Sequence, residues 1–157
     1  MITIEIVTPD DWMRWRDMRL SALTDSPQAF CSSLSEWEHQ GEQGWRAYLA
    51  GHSVNFIAVL DDRDAGMVSA VVEDQDVELL SLWVAPFARG KRVGDELVRS
   101  VVNWTDHQQR TRLILRVLNG NSQATALYER HGFTFNPHQG SSGNPPSTDR
   151  LMVRVES

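Results

Sequence analysis

The sequence holds a single cysteine, Cys31, so no internal disulfide can form. It has no apolar run of the length that spans a bilayer. Its first residues, Met1-Ile2-Thr3-Ile4-Glu5, lack the basic start and apolar stretch of a secretory signal. Together these absences set the expectation of a cytoplasmic protein with no membrane partner. Positive charge is also scarce: 15 Lys and Arg stand against 21 Asp and Glu, for a formal net charge of −6. A surface of that sign repels a phosphate backbone and argues against nucleic acid as a partner. It suits a cationic substrate such as an amine, and it obliges any anionic ligand to find a local basic patch. One short segment supplies such a patch, with Arg89, Lys91 and Arg92. No metal is expected.

What the sequence does contain fits one domain over residues 1–157, with 41% apolar and 23% charged residues. Ile2 to Ile6 alternates as a strand. Thr8-Pro9-Asp10-Asp11 is a helix start, with Thr8 as cap and Asp11 in the capping-box position. Trp12, Trp15, Met18, Ala22 and Leu23 form the buried stripe of that helix, which stops before Pro27. A second, less regular helical stretch covers Leu34 to Leu49, interrupted near Gly41 and Gly44.

From Val54 the period changes to that of strands. Val54 to Leu60 and Gly66 to Val72 are joined by an acidic turn, Asp61-Asp62-Arg63-Asp64. Val77 to Val84 is nearly all apolar, as a central strand covered on both faces should be. Val93, Leu97, Val98, Val101 and Val102 line one face of a long helix ending near His107. Leu113 to Leu118 is a further strand. Ala124, Leu127, Tyr128 and His131 recur at helical spacing, closed by Gly132. Phe133 to Phe135 and Leu151 to Val155 complete the sheet, and the polar segment from Pro137 to Thr148 between them predicts no regular structure. The fold class is α/β (α+β), one domain around a mixed sheet of about seven strands with about four helices.

The chemistry concentrates where the strand ending at Val84 runs through Ala85-Pro86-Phe87-Ala88 into Arg89-Gly90-Lys91-Arg92-Val93-Gly94 and a helix. A strand, a glycine-containing loop and a helix N-terminus can hold a phosphate, because unpaired amides and the positive helix end point at the anion. The same residues also suit a surface loop whose glycines merely turn the chain. Neither a Walker loop nor the dinucleotide glycine spacing is present.

Leu82-Trp83-Val84-Ala85-Pro86 followed by Arg89-Gly90-Lys91-Arg92-Val93-Gly94 resembles the acetyl-CoA motif of the GNAT acetyltransferase superfamily, Gln/Arg-x-x-Gly-x-Gly/Ala. Asn121-Ser122-Gln123-Ala124 with Leu127-Tyr128-Glu129-Arg130-His131-Gly132-Phe133 resembles a second motif of that family, in the right order and at the usual separation. The resemblance departs at Arg92, which stands where the first motif glycine is expected. It implies a mostly antiparallel sheet, acetyl-CoA as cosubstrate, and acetyl transfer to a primary amine. It also implies site residues. Leu82, Trp83 and Val84 would offer backbone groups to the pantetheine arm, and Asn121 a polar contact. Arg89, Gly90, Lys91, Arg92, Val93, Gly94 and Asp95 would surround the pyrophosphate, with the Asp95 and Glu96 carboxylates facing away. Tyr128 would bind the cofactor and protonate the departing thiolate, or else serve as a core tyrosine.

Glu78 is the candidate base, on the strand face read as shared with Leu80, Leu82 and Val84, or else a solvated glutamate after the Asp74-Gln75-Asp76 turn. Many relatives use waters for this step instead. Phe30, Glu36 and Trp37 could line an aromatic, acidic pocket for the acceptor; equally, Trp37 and Trp45 are ordinary core residues. A small-molecule amine is the leading acceptor. A protein N-terminus or lysine is the alternative, as is a non-catalytic coenzyme A-binding module, which Arg92 keeps in view. Dimers are common in the family, so the resemblance leaves a homodimer open.

Overall fold

The computed structural model describes residues 1–26, 34–109, 112–118, 120–136 and 149–155. The chain begins with β1 (Ile2–Ile6), α1 (Trp12–Asp25), α2 (Leu34–Trp37) and α3 (Glu42–Ala50). Three strands follow: β2 (Val54–Leu60), β3 (Arg63–Glu73) and β4 (Asp76–Val84). The remainder is α4 (Val93–His107), β5 (Arg112–Leu118), α5 (Ser122–Arg130), β6 (Thr134–Phe135) and β7 (Asp149–Val155). The strands form one sheet in the order β1-β2-β3-β4-β5-β7-β6. Only β4 and β5 run parallel; every other neighbouring pair is antiparallel. The expected mixed, mostly antiparallel sheet of seven strands is therefore present.

Five helices are described where about four were expected, because the stretch from Leu34 to Leu49 is two helices. Gly41 takes an extended backbone as N-cap of the second, which forces the break. The acidic turn is also shorter than the sequence suggests. Asp61 and Asp62 both have positive φ, 50° and 68°, and Leu60 pairs directly with Arg63. Such two-residue turns match the twist of a hairpin, and Asp tolerates the left-handed region. At the start of the chain the Thr8 amide donates to Asp11 Oδ2 at 3.0 Å, as a capping box should, although the first turn is a 3₁₀ turn over Pro9–Asp11 before α1 begins.

Two apolar layers sandwich the sheet. On one face Val93, Leu97, Val98 and Val101 of α4 pack with Val68, Ala70, Val77 and Leu79. On the other, Trp15, Met18 and Ala22 of α1 and Trp45 and Leu49 of α3 pack with Ile57, Met67 and Trp83. Gly66 is what lets α4 approach. A Cβ there would lie 2.8 Å from the Trp83 carbonyl and 3.0 Å from a Leu97 methyl. The buried stripe of α1 holds Trp15, Met18, Ala22 and Leu23 as expected and also Arg19, while Trp12, expected in it, is only half-buried. Among the described residues no helix is long and apolar enough to cross a membrane.

Candidate active site

The sheet opens at its centre. β4 pairs with β5 only at Asp76↔Arg112, Val77↔Leu113 and Glu78↔Ile114. Beyond that point β5 stays paired with β7 as far as Leu118↔Asp149, while β4 continues alone on this side over residues 79–84. The strands have parted, and the edge of β4 presents backbone donors and acceptors without a ladder partner among the described residues. A bulge accompanies the parting. Met67 pairs with Trp83 and Ser69 with Leu80, so Ser81 and Leu82 together face Val68, and Ser81 has φ 61°.

The bulge corrects one reading of the sequence. Strict alternation places Glu78 on the same face as Leu80, Leu82 and Val84. The extra residue reverses the sequence alternation after Leu80, so Leu82 and Val84 pack toward α4 while Glu78 shares the opposite face with Leu80 and Trp83. Glu78 is 9% exposed, and Arg116 Nη1 donates to its Oε2 at 2.8 Å. That arginine comes from β5, two positions past the residue that pairs with Glu78.

After β4 the Ala85 amide donates to Ala65 O at 2.8 Å, and a 3₁₀ turn over Pro86–Ala88 leads to the loop. Gly90 has φ 78° and Arg92, the N-cap of α4, has φ 69° and ψ 15°. The left-handed conformation at Arg92 gives a conformational reason for a glycine at this motif position, since a side chain there costs about 1–2 kcal/mol. Arg92 carries that cost and remains exposed, as do Gly90 and Lys91. The amides of Val93, Gly94 and Asp95 start α4 and have no acceptor within the helix. Gly94 answers a packing demand: a Cβ there would lie 3.2 Å from a Leu127 methyl on α5.

Two charged residues of this segment are engaged elsewhere. The Asp95 carboxylate accepts from His131 Nε2 at 2.9 Å and from Arg130 Nη2 at 3.2 Å, at the C-terminal end of α5. Burial pushes its carboxyl up, and the bonds from His131 and Arg130 outweigh this and hold it below the usual range. Arg89 donates Nε to the Val84 carbonyl at 3.1 Å and Nη2 to the Asp25 carboxylate. Asp25 also accepts from the Trp83 indole at 3.0 Å and the Ser26 hydroxyl at 2.8 Å. Those bonds, led by the indole, hold the Asp25 carboxyl down to about 2. The guanidinium expected at a phosphate is thus tied to α1, and the Val84 carbonyl expected to face a pantetheine arm already has a donor.

On α5, Asn121 is the N-cap, its Oδ1 accepting from the Ala124 amide at 3.2 Å. Tyr128 is 7% exposed, edge-on to Phe133 with ring centroids 5.8 Å apart. Burial pushes its phenol up, so it stays protonated throughout the neutral range.

The acceptor-side residues are only partly brought together. Trp37 packs edge-on to Tyr48 at 4.9 Å and against Trp45 at 5.1 Å, while Glu36 is exposed on α2. Phe30 and the segment Pro137–Thr148 lie outside the described residues. Arg19, 5% exposed, donates to Ser81 Oγ at 3.1 Å, and the Tyr48 hydroxyl lies 3.3 Å from the same oxygen. Arg19 was findable, since it falls four residues after Trp15 and three before Ala22. Asp25 carried no such signal. A groove of about 930 Å³ runs between α1 and the turn after β4, lined by Met18, Asp25, Trp83 and Phe87 among others, and includes neither Glu78 nor Tyr128.

The sequence model of the acetyltransferase (GNAT) family matches residues 12–133. No curated protein matches the chain. Among solved structures, an acetyltransferase of the GNAT family from Streptococcus pneumoniae has a TM-score of 0.82 at 16% identity, with 100% of each chain covered. The PaiA N-acetyltransferase of Thermoplasma acidophilum, solved in complex with coenzyme A, has a TM-score of 0.77 at 16% identity over 99% of each chain. The yncA protein of Salmonella typhimurium, solved with its cofactor acetyl-CoA, has a TM-score of 0.77 at 15% identity over 99% of this chain and 94% of that one. At such identities the likeness establishes the fold.

Proposed function

The chain belongs to the acetyltransferase (GNAT) family, and we propose that it transfers an acetyl group from acetyl-coenzyme A directly to a primary amine of a small molecule. One observation carries this reading: β4 parts from β5 after Glu78↔Ile114, beside a loop that delivers the N-terminus of α4. The parted edge of β4, including the Leu82 and Trp83 backbone, can take the amide-rich pantetheine arm as a strand would. The amides of residues 90–95, with exposed Lys91 and Arg92, suit a pyrophosphate. Asn121 spends its side-chain oxygen on the cap and keeps its NH₂ for the arm. That two proteins of this fold were solved with coenzyme A or acetyl-CoA supports the same choice. The net charge of −6 supports a cationic acceptor.

The reaction joins nitrogen to the thioester carbon, breaks the carbon–sulfur bond and moves one amine proton to sulfur. An alkyl ammonium of pKa ~10.4 must first lose a proton, and Glu78 is our candidate to receive it, directly or through water. Tyr128 is our candidate at the sulfur. Its phenol is raised well above a thiol near ~8.5, so it favours the departing thiolate by donating a hydrogen bond. It then passes sulfur the proton that the substrate nitrogen gives up. The test is a panel of primary amines with acetyl-CoA and a thiol-reactive dye. Thiol release matched by N-acetylated product from a small amine is expected. Release with peptides alone would favour a protein acceptor, and coenzyme A binding with no release across the panel would favour a binding module.

A further inference from the structure

We propose that Asp25 is a positioning residue for the cofactor loop, holding Arg89 so that the turn after β4 presents its amides to the pyrophosphate; this rests on the acetyl-coenzyme A reading above. Asp25 ends α1, a helix on the sheet face opposite α4. Its Oδ2 receives three donors: Trp83 Nε1 at 3.0 Å, Ser26 Oγ at 2.8 Å and Arg89 Nη2. Trp83 is the penultimate residue of β4, and Arg89 immediately precedes Gly90. The carboxylate therefore grips the loop at both ends of its first half. The remaining guanidinium donor used, Arg89 Nε, closes on the Val84 carbonyl at 3.1 Å. A planar guanidinium with two of its fixed donors satisfied by separate acceptors has little freedom to turn.

The loop has need of such a brace. Its own backbone bonds, Ala88 to Ala85 O at 2.9 Å and Arg89 to Pro86 O at 3.4 Å, stop at Arg89. The next three amides, of Gly90, Lys91 and Arg92, make no hydrogen bond among the described residues, and two of those residues hold left-handed φ. What fixes the path into that stretch is the anchored side chain before it. The carboxyl of Asp25, depressed to about 2, keeps the brace charged at all working pH. Arg89 thereby acts on a bound anion through loop geometry, with its charge neutralised by Asp25.

The experiment is calorimetric titration of coenzyme A into the parent protein, Asp25→Asn, Asp25→Ala, Arg89→Ala and the Asp25→Ala/Arg89→Ala double variant. Pantetheine, which has the arm without the pyrophosphate, is the control ligand, its binding followed by ligand-observed NMR. Asp25→Ala is expected to weaken coenzyme A about tenfold, as loss of a charged hydrogen-bond partner should. Asp25→Asn should fall between it and the parent, because an amide oxygen still accepts from Trp83. The double variant should be no weaker than the worse single one, and pantetheine binding should not change. A parent that binds coenzyme A with Asp25→Ala binding it equally well overturns the proposal alone. So do losses that multiply in the double variant, or pantetheine weakened in step with coenzyme A, which signals general loosening. A parent that binds no coenzyme A overturns the cofactor reading and this proposal with it.

Discussion

Arg92 sits at φ 69° and ψ 15°; its carbonyl accepts from the Glu96 amide at 3.1 Å, but its side chain makes no capping hydrogen bond. Arg92→Gly should relieve that backbone and stabilise the fold by about 1 kcal/mol, net of the entropy glycine adds to the unfolded chain. The urea midpoint should rise at unchanged slope; a midpoint that falls would mean the side chain contributes something the backbone does not reveal. Tyr128→Phe removes one hydroxyl from a buried ring without disturbing its packing on Phe133. Turnover should drop by about a hundredfold while coenzyme A affinity stays near the parent's; unchanged turnover would remove Tyr128 from the proton's path. At this scale helical spacing made position legible: Tyr128 lies on the buried face of α5, as its spacing with Ala124 and Leu127 predicts. The sequence was silent at Asp25, an acid at a helix end whose partners, Trp83 and Arg89, reach it only after the sheet has formed.

Among the elements, α4 and β4 decide the site, and both depend on local exceptions. Gly66 sits where α4 crosses the sheet. Gly66→Ala would drive a methyl to within 2.8 Å of the Trp83 carbonyl, backbone that cannot swing aside. The expected cost is about 1–3 kcal/mol by chemical denaturation. A neutral substitution would mean that α4 can lift without penalty. The strand Val77–Val84 was legible from its apolar run, and its bulge was not. Within a nearly all-apolar stretch, one extra residue leaves little mark on the period, and Ser81 is not the glycine that usually announces positive φ. That is why strict alternation groups Glu78 with Leu82 and Val84, although it keeps its place beside Leu80. The break between α2 and α3 was signalled by Gly41, but as an irregularity and not as a boundary.

For the whole molecule, the order of elements was legible because each carries its own period and its own stop, from Thr8-Pro9 through Gly132. Pairing across the sheet was less so. Nothing in β4 or β5 separately says that they run parallel for three residues and then part, since parting is a relation between two strands. Yet that relation is the centre of the functional account, with α4 and α5 on one face and α1 and α3 on the other. Hydrogen–deuterium exchange with and without coenzyme A tests it most directly. The account predicts slowed exchange in residues 79–84 and 90–95, with β1 and β2 unaffected. Coenzyme A that binds while leaving both of those segments as fast as in the free protein would contradict it.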